Sequence, residues 1–417
     1  MFDKFNQEYS DYISTYDKIY SMENLNEEQI TELYNEIKII LIEKYHVYPL
    51  FLRNEINEYS IYRYKYIKSY VTLINKFEVN SKPRESSHET FLKVLHRSPV
   101  IAIIMNDDIE NFISYVNTSN FNKDEKLDLL NQYYGAFTLL ESCCFFGAIQ
   151  CFRYLISEFN SEITNNCAIY SFLSGNLELI HECIQGRTPD VSWIETAIIS
   201  HNFDLVVYLI DTYNMEINPE LCAKYHNLKT FLYFVDKSDD IERILVSAAR
   251  FNLQKLFDLL LSHAKKITIQ QCNINNILQS AALNYNLRIA KIAISLGADI
   301  NSDALDCAAA RNAVKICELF IEHGAEVNGN ENFPPLFKCA EFDSAQVCSI
   351  LCNSGAKINA RCCYEEYTPL HYAAIYDSPK VCKILIDRGA DVNECNYEHE
   401  TPLHLASRYN SINVTKI

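Results

Sequence analysis

The chain has 417 residues, 48% of them hydrophobic, with only 9 Gly and 10 Pro. That composition supplies a packed core, excludes general disorder and leaves little room for linkers. The formal net charge is −17, from 37 Lys+Arg against 54 Asp+Glu. An acidic surface repels phosphate backbones, so nucleic acid is not an expected partner and a basic or neutral protein segment is.

Met1 to Tyr20 is studded with Asp, Lys, Glu and Tyr and holds no apolar run of signal-peptide length. No stretch approaches the roughly 18 uninterrupted apolar residues of a membrane span. The expected compartment is the cytoplasm, with no membrane partner. The 16 Cys are then expected to be reduced thiols rather than a disulfide framework.

Residues 1–95 form the first predicted region, helical throughout. Glu27 to Tyr45 reads as one amphipathic helix, with Ile30, Leu33, Tyr34, Ile37, Leu41 and Tyr45 on a face. Pro49 interrupts it, and Tyr59 to Phe77 reads as a second helix. Within the latter, Tyr59, Tyr62, Tyr66 and Tyr70 recur at three- and four-residue spacing beside Arg63, Lys65 and Lys68. Aromatics among basic residues can stack bases, but the spacing and the acidic surroundings favour a packing stripe. Lys82-Pro83-Arg84-Glu85-Ser86-Ser87 is the best linker in the chain.

From residue 96 the pattern becomes a series of helical hairpins. A unit over Pro99 to Val116 turns near Asn106-Asp107. Later units turn at Gly147, Gly175, Asn202, Asn227, Asn252, Asn286, Asn312, Asp343, Asp377 and Asn410. All are Gly, Asn or Asp, the residues that enter the left-handed region most readily. The intervals between them are 28, 27, 25, 25, 34, 26, 31, 34 and 33 residues. The short upstream ones leave no room for a connecting finger between hairpins. A divergent region over 96–276 and a regular one over 277–417 follow.

The regular region repeats two phrases. Gly297-Ala298-Asp299-Ile300-Asn301 recurs at Gly324 to Asn328, Gly355 to Asn359 and Gly389 to Asn393, and Thr368-Pro369-Leu370-His371 recurs at Thr401 to His404. Self-similarity of this period marks stacked supersecondary units. Thr caps a helix whose first turn tolerates Pro, and Gly closes the second helix in a left-handed C-cap. Cys317, Cys348 and Cys382 occupy one slot of successive units, where a thiol serves as a small apolar filler. Together T-P-L-H and G-A-x-[IV]-N resemble the ankyrin repeat over residues 277–417. Residues 1–95 with the divergent hairpins resemble the helical region that precedes ankyrin arrays in large protist families. The resemblance implies an all-α, ankyrin-type helical-hairpin solenoid with short β-like fingers in the C-terminal repeats, preceded by an N-terminal helical region.

No phosphate-binding loop, dinucleotide fingerprint, H-E-x-x-H or G-x-S-x-G motif is present. His371 and His404 are T-P-L-H histidines, which the resemblance assigns to hydrogen bonds between adjacent repeats rather than to catalysis. Cys362, Cys363, Cys395 and His399 fall on two successive fingers, yet lack metal-ligand spacing. The expectation is no catalytic residue, no metal and no cofactor. Family position instead selects Tyr372 and Tyr376 on an inner helix and Arg361, Tyr364, Glu365, Glu366, Tyr397 and Glu398 on the fingers as contact residues. They would serve a non-catalytic scaffold or adaptor that binds a partner protein on its concave surface. The alternative is that residues 1–95 are the effector module, enzymatic or recruiting, and the array selects its substrate. Two departures affect the fingers: His399 stands where the family has Gly, and residues 359–368 hold one extra residue. Finally, Val414-Thr415-Lys416-Ile417 aligns with Val381 to Ile384 and goes no further. The expectation there is fraying after about Thr401, self-association through an uncapped repeat, or a truncated gene model.

Overall fold

A computed structural model describes residues 2–77, 99–118, 121–122, 125–130, 135–264, 273–301, 303–329, 333–362 and 365–417. The predicted linker at 82–87 lies outside them. The chain divides into two compact units, Met1–Ser238 and Asp239–Ile417.

The first unit begins with α1 (Phe2–Glu8), α2 (Ser10–Tyr20) and α3 (Glu27–Ile37). Asn26 caps α3 in a capping box with Gln29, and Ile30, Leu33, Ile37 and Leu41 are buried. Beyond Ile37 the chain widens into a π-helical stretch, Lys38–Lys44. Pro49 starts α4 (Pro49–Ser60) rather than interrupting a helix, because its missing N–H costs nothing in a first turn. The helix expected over Tyr59 to Phe77 is broken: a 3₁₀ segment, Ile61–Tyr66, precedes α5 (Ile67–Lys76), and Arg63 leaves helical geometry at φ −121°, ψ 43°.

That break has a cause in the repeats that follow. They comprise α6 (Pro99–Met105), α7 (Ile109–Val116), α8 (Leu139–Phe146), α9 (Ile149–Phe159), α10 (Asn165–Ser174), α11 (Leu177–Ile184), α12 (Val191–Ile199), α13 (Phe203–Tyr213), α14 (Pro219–Lys224) and α15 (Leu228–Lys237). The broken segment lies across the carboxyl ends of their first helices. Arg63 Nη1 donates to the Leu173 carbonyl at 2.9 Å, and Lys65 Nζ donates to the Phe146 carbonyl at 3.2 Å. Each cation satisfies an orphan carbonyl at the negative end of a helix dipole. Tyr59 and Tyr70 are buried, donating to the Tyr20 and Ile19 carbonyls. The basic aromatic stretch is thus a packing stripe and a helix cap.

Two buried histidines complete the contact. His201 lies with Nδ1 2.7 Å from Asp17 and Nε2 2.7 Å from the Tyr225 carbonyl, its ring stacked on Tyr20 at 4.1 Å. His226 reaches the Tyr12 hydroxyl at 2.7 Å and Glu55 at 3.1 Å, stacked on Tyr16 at 4.4 Å.

A two-stranded hairpin, β1 (Lys126–Leu130) with β2 (Gly135–Thr138), pairs Leu127 with Phe137 and precedes α8. It sits upstream, where short intervals left no room for a finger. The interval from Asp107 to Gly147, however, spans 40 residues, and the hairpin occupies it.

The second unit contains α16 (Ile241–Arg250), α17 (Gln254–His263), α18 (Ile274–Leu283), α19 (Leu287–Ser295), α20 (Ala304–Ala310), α21 (Val314–Glu322), α22 (Pro335–Phe342), α23 (Ala345–Asn353), α24 (Pro369–Ile375), α25 (Pro379–Asp387) and α26 (Pro402–Arg408). First helices pack on first helices: α16, α18, α20, α22, α24 and α26 form one layer, and α19, α21, α23 and α25 form the other. Ala281, Ala308, Ala373 and Ala374 are fully buried in the inner layer, where small side chains let backbones approach. Leu351, Leu385, Cys348 and Cys317 are fully buried too, and Cys382 nearly so. Each Leu contributes roughly 1.5–3 kcal/mol of apolar burial. All described cysteines are free.

Of the ten predicted turn residues, Gly147, Gly175, Asn252, Asn312, Asp343, Asp377 and Asn410 take positive φ, as does Asp107. At Asn202, Asn227 and Asn286 the left-handed residue is instead the one before, His201, His226 or Tyr285. The reason is capping: each of those Asn side chains accepts the backbone N–H three residues on, from Leu205, Thr230 and Ile289. A residue spent as N-cap cannot also be the left-handed turn.

Where the turn residue is Asp, or is Asn312, its side chain grips the next repeat. Asp107 accepts from Gln150 and Cys151 N–H, Asn312 from Val347, Asp343 from Lys380 and Val381, and Asp377 from Asn413 and Val414, at 3.0–3.1 Å. The last residue of the repeated phrase does likewise. Asn301 accepts from Glu326 N–H, Asn328 from Lys357 and Asn359 from Asp391, at 2.8–3.1 Å. Two ladders of side-chain acceptors thereby set the repeat-to-repeat register. The final segment is built on them: α26 is formed, and a 3₁₀ turn, Val414–Lys416, hangs on Asp377.

Candidate partner-binding surface

The T-P-L-H histidine of α24 is fully buried. His371 Nδ1 accepts from Thr368 N–H at 3.0 Å, which leaves Nε2–H to donate to the Glu400 carbonyl at 3.1 Å in the next repeat. Burial holds its pKa below the ordinary histidine value. It is a structural bridge. Asp306 stands in the same slot of α20, since Ala304-Leu305-Asp306 aligns with Pro369-Leu370-His371. Its Oδ1 is buried with no partner among the described residues. Burial, helped by the nearby Asp303 carboxylate, pushes Asp306 up to about 6.

Backbone bonds close the fingers, Cys362 N–H to the Tyr367 carbonyl and Asn396 N–H to the Glu400 carbonyl, both 3.0 Å. Tyr397 N–H donates across to the Glu365 carbonyl at 3.1 Å, joining neighbouring fingers. Glu366 and His399 carry the turns with φ of 52° and 59°, the left-handed conformation that glycine adopts without steric cost. The four finger residues with metal-binding side chains are dispersed in role. Cys362 is buried, Cys395 Sγ donates to the Asn393 carbonyl, His399 is exposed at its turn, and Cys363 lies outside the described residues.

The predicted contact residues differ in their surroundings. Arg361 bridges Glu366 and Glu394 by ion pairs, so it is an internal tie rather than a free anchor. Glu398 lies 3.5 Å from Arg408, which also pairs with Glu400. Tyr364 lies outside the described residues. Tyr397 is 75% exposed and Tyr376 is 40% exposed. Tyr372 is half-buried in a ring cluster, 5.8 Å from Tyr376, 6.0 Å from Tyr367 and 5.2 Å from both Phe333 and Phe337. Burial and the nearby Glu365 and Glu341 carboxylates push the Tyr372 phenol up to about 12.

Sequence reasoning missed the extension of this cluster onto α22. Lys338 Nζ lies 5.1 Å from the Phe333 ring centre and 6.0 Å from that of Phe342, and donates to Glu341 at 2.9 Å. Phe342 is 48% exposed. The signal was available. Stepping back by the 34-residue interval converts Tyr372 and Tyr376 into Lys338 and Phe342.

The unit is a helical-hairpin repeat protein whose inner helices and fingers present one aromatic strip rimmed by carboxylates. Comparison with protein families agrees: residues 278–362 and 336–417 match the family model for ankyrin repeats, and residues 278–417 are ankyrin repeats. Residues 159–234 match a domain of unknown function (DUF3447). No curated protein matches the chain. Ankyrin repeats indicate a role in protein–protein interaction. No helix among the described residues is long and apolar enough to cross a membrane.

Proposed function

We propose that the protein is a non-catalytic scaffold or adaptor in the cytoplasm that binds a partner protein through the inner helices and fingers of residues 277–417. One observation carries this reading: Tyr376, Tyr397 and Phe342 are exposed aromatics on that face, at positions the repeat fold leaves free to vary. Large rings of this kind make the anchors of protein interfaces. Tyr372, Glu365, Glu366 and Glu398 frame them, and Arg361 holds the fingers in place.

Affinity purification of the full chain, compared with a Tyr376→Ala/Tyr397→Ala variant, tests the surface. The double variant should lose the proteins that co-purify with the wild type. An unchanged set of partners, with both rings removed and the fold intact by circular dichroism, refutes it.

The effector alternative takes a modified form. Residues 2–77 are tied to the following hairpins by Arg63, Lys65, His201 and His226, which favours residues 1–238 acting as one body over an autonomous module ending at residue 95.

A further inference from the structure

The aromatic strip on α22 and α24 already holds one cation, and the way it does so indicates what a partner would bring. Lys338 lies over the Phe333 and Phe342 rings with its ammonium on Glu341. Ring faces and a carboxylate together hold the charge, the combination that suits Lys and Arg side chains. One repeat further on, Tyr367 and Tyr376 stand where Phe333 and Phe342 do and Tyr372 takes the place of Lys338, its ring 6.0 Å and 5.8 Å from theirs, while Glu365, whose carbonyl takes Tyr397 N–H at 3.1 Å, brings a carboxylate on the adjoining finger. Among the described residues no basic side chain lies over the Tyr367, Tyr372 or Tyr376 ring.

Charge across the face points the same way. Three of its cations are paired internally: Lys338 with Glu341, Arg361 with Glu366 and Glu394, and Arg408 with Glu398 and Glu400. Asp303 and Glu365 have no such ion pair among the described residues, and the carboxylates named outnumber these cations, which leaves the face net negative. We infer that this face takes a basic segment of a partner protein, an extended stretch whose Arg or Lys side chains lie on Tyr376 and Tyr372 and pair with Glu365. The inference rests on the proposed binding face and specifies the chemistry of its occupant. An acidic segment would meet like charges that the face cannot neutralise.

The test uses the full chain and three short fluorescent peptides of equal length, in which Leu and Gly alternate with Arg, with Ser or with Glu. Anisotropy titration should show the Arg peptide binding at least about tenfold more tightly than the Ser peptide, with the Glu peptide not binding. Glu365→Gln and Tyr376→Ala should each weaken the Arg peptide several-fold, while Tyr376→Phe, which keeps the ring, should not. Because a chain of net charge −17 attracts any polycation, Glu162→Gln on the first unit serves as the control and should leave affinity unchanged. Equal loss with Glu162→Gln, or none with Tyr376→Ala, would mean diffuse attraction and overturn the inference. Ser and Arg peptides binding alike, both lost with Tyr376→Ala, would keep the binding face and remove its basic preference. Binding by none of the three would count against both.

Discussion

Asp343 offers the sharpest test of the register ladders. Its Oδ1 accepts both Lys380 N–H and Val381 N–H at 3.0 Å, from a left-handed turn with φ of 52°. Ala at this position loses the acceptor, leaves two amides at the start of α25 without it, and places a poor residue in the left-handed region. Loss of a capping acceptor costs about 0.5–2 kcal/mol, and the left-handed penalty for an ordinary side chain adds roughly 1–2 kcal/mol. Asp343→Ala should therefore destabilise the second unit by about 2–3 kcal/mol. Asp343→Asn should be nearly silent, because Asn312 performs the same task in the preceding repeat, and burial already pushes the Asp343 carboxyl above its ordinary range. Urea titration of the full chain by circular dichroism measures the change, and hydrogen exchange at residues 379–387 localises it. If Asp343→Ala falls within about 0.5 kcal/mol of wild type, or Asp343→Asn is as damaging as Asp343→Ala, the ladder is not what sets the register.

Three further outcomes follow from named contacts. Arg63→Ala should lower the thermal midpoint of the first unit by a few degrees, corresponding to about 1–2 kcal/mol, and speed exchange at the end of α10; no change in either would remove the clamp. His399→Gly should stabilise the second unit by about 0.5–1 kcal/mol by relieving a side chain held at positive φ, read as a shifted urea midpoint; destabilisation would show that the imidazole makes a contact that matters. Asp306, raised to about 6 when folded from an unfolded value near 4, contributes stability below pH ~4 that is lost as pH rises through ~6. Asp306→Asn should therefore gain on the order of 2–3 kcal/mol at pH ~7.5 and almost nothing at pH ~4, in paired urea titrations; a gain independent of pH would refute the charge-burial argument.

The fold was legible where chemistry repeats. Thr-Pro before a helix, Gly after one and Asn at the end of the phrase each satisfy backbone groups in a fixed geometry, so their recurrence gives both element and register. Phase carried the reading upstream into sequence with no consensus phrase. It slipped by one residue at Asn202, Asn227 and Asn286, because Asn serves equally as a turn and as a cap and only the neighbouring contacts decide between them. The break at Arg63 was illegible for a stronger reason. Its cause, the Leu173 carbonyl, lies 110 residues away, beyond any local pattern. In the candidate surface, the exposed aromatics could be read from family position, whereas the ties of Arg361 and the ammonium held by Lys338 depend on side-chain placement across repeats.

The clamp on the first unit also has a mechanical meaning. An array held only by neighbour-to-neighbour contacts bends and stretches like a spring, since small changes at each junction add up. In the first unit a single short segment is bonded to the carboxyl ends of two successive first helices, at Phe146 and Leu173, and Tyr62 reaches Tyr225 further along. Such a brace fixes the spacing of the hairpins it spans, so deformation there requires breaking contacts that many residues separate in sequence. The second unit has register ladders and no brace of this kind among its described residues. Under load, compliance should concentrate in residues 239–417, the part that carries the proposed binding face.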